Sequence, residues 1–143
     1  MVSNPPQGFP RITPYLLYED CEAALDFLAK AFGFTEDVRI AGQDGKVNHA
    51  EMRLGDGVIM MGNPGPDYEN PSRHGYVHAT MYVYVDDVDK HYEQAKAAAA
   101  KILSEPQDQF YGDRNYTAED PQGQQWAFAT HTRDVTPEDI ASG

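Results

Sequence analysis

His49, Glu51 and His78 carry the strongest chemical potential in this chain. His49 and Glu51 are two residues apart in the strand-like run KVNHAEMRL, so they share one face of a strand. Imidazole titrates near neutral pH, ligates divalent metals and shuttles protons, and a carboxylate complements it in either role. With His78 the pair can make a metal or acid–base site; histidines at the surface or bonded to neighbours are the competing reading. His74 falls in a Pro/Gly-rich stretch, His91 on a helix surface and His131 at a strand end, and all three are expected at solvent. Nine tyrosines are present, and Tyr15, Tyr82, Tyr84, Tyr111 and Tyr116 are placed to reach a pocket. They either stack a planar or cationic ligand or pack two half-sheets together. Arg114, in YGDR, either pairs with Asp113 or Glu119 or anchors an anionic ligand group. Cys21, at a helix start with no base nearby, reads as a buried, inert thiol. No nucleophile motif, phosphate loop or GxGxxG is present; the glycines of GQDG and GDG are turn residues.

The elements that would position these groups follow from period. RITPYLLYED reads as a strand and DCEAALDFLAKAFGF as a helix with Ala24, Leu25, Leu28, Ala31 and Phe32 on one face, stopped by Gly33. TEDVRIA, KVNHAEMRL and GVIMMG are three strands joined by hairpin signals. Residues 63–76, with three prolines and two glycines, form a linker or surface lobe. The order then recurs: VHATMYVYVDD is a strand, VDKHYEQAKAAAA a helix with Val88, Tyr92, Ala95 and Ala99 inward, and KILSEPQDQFY, DRNYTAED and QQWAFATH three strands. Asp20 and Asp86, and Gly57 and Gly123, are each separated by 66 residues, which supports an internal repeat of two βαβββ units. Gly33 is answered by Ala99, and a left-handed alanine there would cost about 1 kcal/mol.

One domain is expected, with a leader over residues 1–8, a first unit over 9–62, the linker over 63–76, a second unit over 77–131 and a tail over 132–143. The chain has 143 residues, 41% hydrophobic and 24% charged, as in globular proteins. A formal net charge of -12 and a pI near 4.6 argue against nucleic acid and anionic membranes as partners. One cysteine rules out an internal disulfide framework, and the N-terminus lacks a signal-peptide pattern, so a cytoplasmic setting is expected. A short disordered leader and a short acidic tail are expected at the two ends.

Two βαβββ units, a first strand running into YED, a helix ending AFGF, and the motif YGDR…DPxGxxW (Tyr111 to Arg114, Asp120, Pro121, Gly123 and Trp126) resemble the glyoxalase/bleomycin-resistance/extradiol-dioxygenase superfamily. The resemblance spans roughly residues 9–131. It implies an α+β fold in which two modules curl into a cup around a ligand, with helices outside, and it implies a homodimer. In metal-dependent members, ligands lie on the first and last strands of each module. Carried over, those positions fall on Thr13, Met60 or Met61, Thr80 and Ala127, none of which holds a divalent ion in a soluble site. No cofactor is therefore expected. The first functional expectation is a metal-free protein that binds or sequesters a small organic molecule. The alternative is a lyase, isomerase or dioxygenase with an atypical site built from His49, Glu51 or His78.

Alternation assigns the faces. Thr13, Tyr15 and Leu17, then His78, Thr80, Tyr82 and Tyr84, and finally Gln125, Ala127 and Ala129 are expected in the cup. Leu16 and Tyr18, Met81, Val83 and Val85, and Trp126 and Phe128 are expected under the helices. The expected ligand-binding set is Thr13, Tyr15, His78, Thr80, Tyr82, Tyr111, Arg114, Gln125 and Ala127.

Overall fold

A computed structural model describes residues 2–142. The element order is β1 (Tyr15–Leu17), α1 (Cys21–Phe32), β2 (Thr35–Ala41), β3 (Val47–Leu54), β4 (Gly57–Gly62), α2 (Pro71–His74), β5 (Met81–Tyr84), α3 (Val88–Ala97), β6 (Lys101–Asp108), β7 (Asp113–Glu119), β8 (Gln125–His131) and α4 (Pro137–Ser142). The repeat is real: the strands form two four-stranded sheets of identical order, β1-β4-β3-β2 and β5-β8-β7-β6. In each, the first strand runs parallel to the last and the other pairs are antiparallel. This is the α+β, two-module architecture expected from the sequence. No helix among the described residues is long and apolar enough to cross a membrane.

Local chemistry sets the helices. Asp20 caps α1 by accepting from the Ala23 N–H at 3.0 Å, and Asp87 caps α3 by accepting from Lys90 at 3.1 Å. The second cap is thus Asp87, not Asp86, and the helix starts are 67 residues apart. Helix α1 ends at Gly33 with φ 82°; α3 stops at Ala97, three residues short of the run read from sequence. Ala99, expected to face inward, is instead an exposed turn residue held at φ 65°. The strained alanine follows from the repeat: the chain must reverse there as it does at Gly33.

Helix faces and sheet faces then meet. Leu25, Leu28, Ala31 and Phe32 of α1 and Val88, Tyr92 and Ala95 of α3 are buried against Ala50, Met52, Met61, Tyr116, Ala118, Trp126 and Phe128. Each large side chain so buried stabilises the fold by roughly 1.5–3 kcal/mol. The helices of the two modules also touch one another, so both modules share this core. Phe32 lies 4.6 Å from Phe128 and 5.5 Å from Trp126, centroid to centroid. His91, expected at solvent, belongs here: its ring sits 4.3 Å from Phe128. Its Nε2 donates to the Phe32 carbonyl at 2.8 Å and its Nδ1 accepts from the Tyr116 hydroxyl at 2.6 Å. Burial pushes its pKa below the ordinary value.

The DPQG turn ties the modules together. Gly123 N–H bonds back to the Asp120 carbonyl at 2.9 Å, closing the turn. The buried Asp120 carboxylate accepts from Tyr18 Oη (2.7 Å), Trp126 Nε1 (3.2 Å) and the backbone N–H groups of Gln122 and Gln124. Gln122 reaches the first module and the linker, accepting from Asp20 N–H and Asn70 Nδ2 at 3.0 Å each and donating to the Asp20 carbonyl at 2.8 Å. The linker is anchored as well: Asn70 and Pro71 are buried, and Ser72 N–H donates to the Gln122 carbonyl at 3.1 Å. The leader, expected to be disordered, is tied to the first module. Arg53 holds the leader through the Gly8 carbonyl at 3.0 Å and lies over the Phe9 ring, and the tail contains α4.

Candidate functional site

The two sheets turn one face to the helices and leave the other open, and the alternation read from sequence holds at most positions. Leu16, Met81, Val83 and Val85 pack against the core and Tyr18 is fully buried, whereas Tyr15, Leu17, Tyr82 and Tyr84 are exposed on the opposite face. Strands β1 and β5 are shorter than expected, so Thr13, His78 and Thr80 precede them; His78 and Thr80 are exposed. Ala129, expected to line the open face freely, is buried, flanked in register by Asn115 and Tyr84.

A cleft of about 390 Å³ opens between β1, the start of β5 and the linker. Tyr15, Leu17, Tyr76, His78, Met81 and Gln125 are among its walls. Its aromatic side is continuous: His74 and Tyr76 lie 4.2 Å apart and Tyr76 and His78 5.3 Å apart. His74 is exposed, as expected, and also lines the cleft. From the expected ligand set the cleft gathers Tyr15, His78 and Gln125.

Tyr82 and Tyr111 belong instead to a polar network on the open face of the second sheet. Tyr82 and Tyr84 both donate to Asp113 Oδ2, at 2.6 and 3.0 Å. Asn115 Nδ2 donates to Tyr82 Oη and Tyr111 Oη, at 3.1 and 2.8 Å, while Gln109 donates to its Oδ1 at 3.0 Å. His131 Nδ1 donates to Asp113 Oδ1 and its Nε2 to Asp134, both at 2.7 Å. Burial alone would raise the Asp113 carboxyl, but the bonds from Tyr82, His131 and Tyr84 outweigh it and hold the group below its ordinary range. The bonds to Asp113 and Asp134 raise His131 in turn. His131 is therefore a bridge between two carboxylates, not a free surface imidazole. Ala127 sits on this face between Tyr82 and Thr117 in register, outside the cleft walls.

A raised histidine favours the folded state below its unfolded pKa, and the benefit is lost as pH rises through the folded value. The His131→Ala variant is accordingly expected to lose stability relative to the parent below about pH 6.5, with the gap closing as pH rises through the elevated value. Urea melts of both proteins across pH 5–9 check this; a gap that widens with pH would contradict it.

Arg114 is the residue the sequence placed on the wrong side. Neighbouring Asp113 and Asn115 face the open side, so Arg114 faces the helix. It pairs with Asp89 of α3 at 3.1 Å and Asp108 at 3.3 Å, not with Asp113 or Glu119. Cys21 is buried, and burial pushes its thiol up to about 11, as an inert thiol requires.

The positions that the resemblance assigns to metal ligands can be tested on the register. Met60 faces Tyr15 across β4 and β1, and Ala127 faces Tyr82 across β8 and β5, so these two occupy equivalent places in the two modules. Met61 is buried on the helix side. A thioether and a methyl group at those places, with the hydroxyls of Thr13 and Thr80, do not fit a zinc, nickel or iron ion. His49, Glu51 and His78 do not supply a substitute: no three His, Cys, Asp or Glu residues converge among the described residues. His49 and Glu51 bond each other, Nε2 to Oε2 at 2.9 Å.

Comparison with known proteins agrees with this architecture. The family model described as "Glyoxalase/Bleomycin resistance protein/Dioxygenase superfamily" matches residues 8–128. The uncharacterized protein Rv0887c of Mycobacterium tuberculosis is 32% identical over 136 residues, covering 92% of this chain and 80% of its own length. The crystal structure of TioX from Micromonospora sp. ML1 is 32% identical, with a TM-score of 0.70, covering 84% of this chain and 97% of its own. A glyoxalase/bleomycin resistance protein/dioxygenase from Nocardioides shares the fold at 17% identity and a TM-score of 0.61, over 87% of this chain and 85% of its own. The chain belongs to the glyoxalase/bleomycin resistance protein/dioxygenase superfamily.

Proposed function

We propose that this protein binds a small organic molecule without a metal, in the manner of the bleomycin-resistance branch of its superfamily. The ligand occupies the cleft between β1, β5 and the linker. The observation that carries this reading is the joint character of the open side. Its family metal positions hold Met60 and Ala127, while an aromatic-walled cleft of about 390 Å³ lies beside them. A concave, mostly apolar site with a few polar groups suits shape recognition of a drug-sized molecule. The net charge of -12 disfavours anionic ligands. A second copy of the chain is proposed to complete the site, because Tyr15, Tyr82 and Tyr84 remain exposed on the open faces.

Nile red, a neutral planar dye, probes the cleft. One dye per chain is expected to bind with a fluorescence increase, and Gln125→Trp is expected to fill the cleft and weaken binding at least about tenfold, a loss of ~1.4 kcal/mol. Unchanged affinity in a folded Gln125→Trp variant would remove the cleft from the proposal.

A further inference from the structure

Tyr15, His49 and Glu51 stand in line on the open face of the first sheet. His49 Nε2 lies 2.9 Å from Glu51 Oε2, and His49 Nδ1 lies 2.9 Å from Tyr15 Oη. A carboxylate only accepts, so Nε2 carries the proton toward Glu51 and Nδ1 accepts from the Tyr15 hydroxyl. Exposure falls along the line: Tyr15 is 50% exposed, and the side chains of His49 and Glu51 are 25% and 15% exposed. Tyr15 is thus the outermost member of the line, and it is also one of the cleft walls. Gly62 makes the alignment possible. It pairs with His49 across β3 and β4, and a Cβ there would lie 2.6 Å from Tyr15 Oη.

We propose that Tyr15 is an activated hydroxyl in a hydroxyl–imidazole–carboxylate relay, able to accept an acyl group from an activated acyl compound in the cleft. Tyr15 Oη bonds to the acyl carbon as its proton passes to His49 Nδ1. Glu51 holds the resulting imidazolium through Nε2–H. The bond from the acyl carbon to the leaving group breaks, and His49 returns the proton to that group. The products are an aryl ester on Tyr15 and a protonated leaving group, with no oxidant or reductant involved. The chemistry follows the general logic of a hydroxyl activated by an adjacent, oriented base. It rests on the proposed cleft for its acyl donor and adds an activity there, while the reactivity of Tyr15 itself is read without any ligand.

N-acetylimidazole tests this without knowledge of any natural ligand. Acetylation of each tyrosine is followed in time by peptide mass spectrometry, with Tyr76, 55% exposed, as the internal reference. Tyr15 is expected to react at least about tenfold faster than Tyr76, a threshold set below the roughly 100-fold that a positioned base supplies at the low end. His49→Gln is expected to bring Tyr15 down to the Tyr76 rate. Gly62→Ala, whose Cβ would meet the Tyr15 hydroxyl at 2.6 Å and the Asn48 carbonyl at 3.1 Å, should do the same by pushing the ring off His49, and Glu51→Gln should reduce the excess. A Tyr15 rate no faster than that of Tyr76 in the parent would overturn the relay, as would an excess that survives His49→Gln and Gly62→Ala. The readout needs no bound molecule, so loss of Nile red binding with rapid acetylation, or the reverse, separates the two proposals.

Discussion

Asp120→Ala is expected to destabilise the protein by about 4 kcal/mol, the largest loss from any single side chain outside the apolar core. The carboxylate is buried and accepts from four donors: Tyr18 Oη, Trp126 Nε1 and the N–H groups of Gln122 and Gln124. Removing it leaves those donors without a partner, and each buried unsatisfied group costs about 1–3 kcal/mol, part of which water or relaxation recovers. Burial pushes the Asp120 carboxyl up despite the four bonds, so the site already bears a desolvation cost that those bonds offset. Asp120→Asn separates shape from bonding. The amide keeps one acceptor oxygen, enough for about two of the donors, and turns an NH2 group toward the rest. Its loss is expected to lie between the parent and Asp120→Ala. Denaturant melts of the three proteins decide it. An Asp120→Ala variant within 1 kcal/mol of the parent would mean that the turn does not bind the modules together.

Gly123→Ala is the second large effect, by a different route. Gly123 has φ 97°, where an L side chain is strained, and a Cβ there would overlap the Ser72 nitrogen and lie 2.8 Å from the Pro71 carbonyl carbon. The neighbours are backbone atoms of α2, so no rotamer change relieves the overlap. Strain of about 1–2 kcal/mol and overpacking of about 1–3 kcal/mol put the expected loss near 3 kcal/mol. The damage should be directional: the linker is pushed off the turn, breaking the Ser72 to Gln122 bond and loosening the wall of the cleft that carries Tyr76 and His78. Limited proteolysis is expected to cut Gly123→Ala within residues 63–76 at concentrations that leave the parent intact. Unchanged protection of that segment would contradict the close approach.

How much of this was legible in the sequence differs by level. Element order and helix faces were, because period reports burial: all five residues assigned to the inner face of the first helix are buried. The strained Ala99 was also legible, since the repeat sets it opposite Gly33. Side-chain direction failed where alternation was not followed through. Arg114 lies one residue from Asp113 and so must point to the other face; the residues of one motif serve two sides of the sheet. His91 sits on a polar stretch of helix sequence, yet α3 packs against α1 and Phe32 covers its ring. Ala129 failed because face and exposure are separate matters, and its neighbours cover it. The Tyr15–His49–Glu51 line needed the register of three strands. Residues 15 and 49 come together only because β4 lies between β1 and β3 and Gly62 leaves room across it.

The central claim, a binding site that works without a metal, is tested most directly on protein purified without a histidine tag. Metal content by plasma mass spectrometry and Nile red affinity are measured together, before and after chelator treatment. The account predicts no stoichiometric metal and the same dye affinity in both samples. One tightly bound divalent ion per chain, with dye binding lost on its removal and restored on its return, would contradict it.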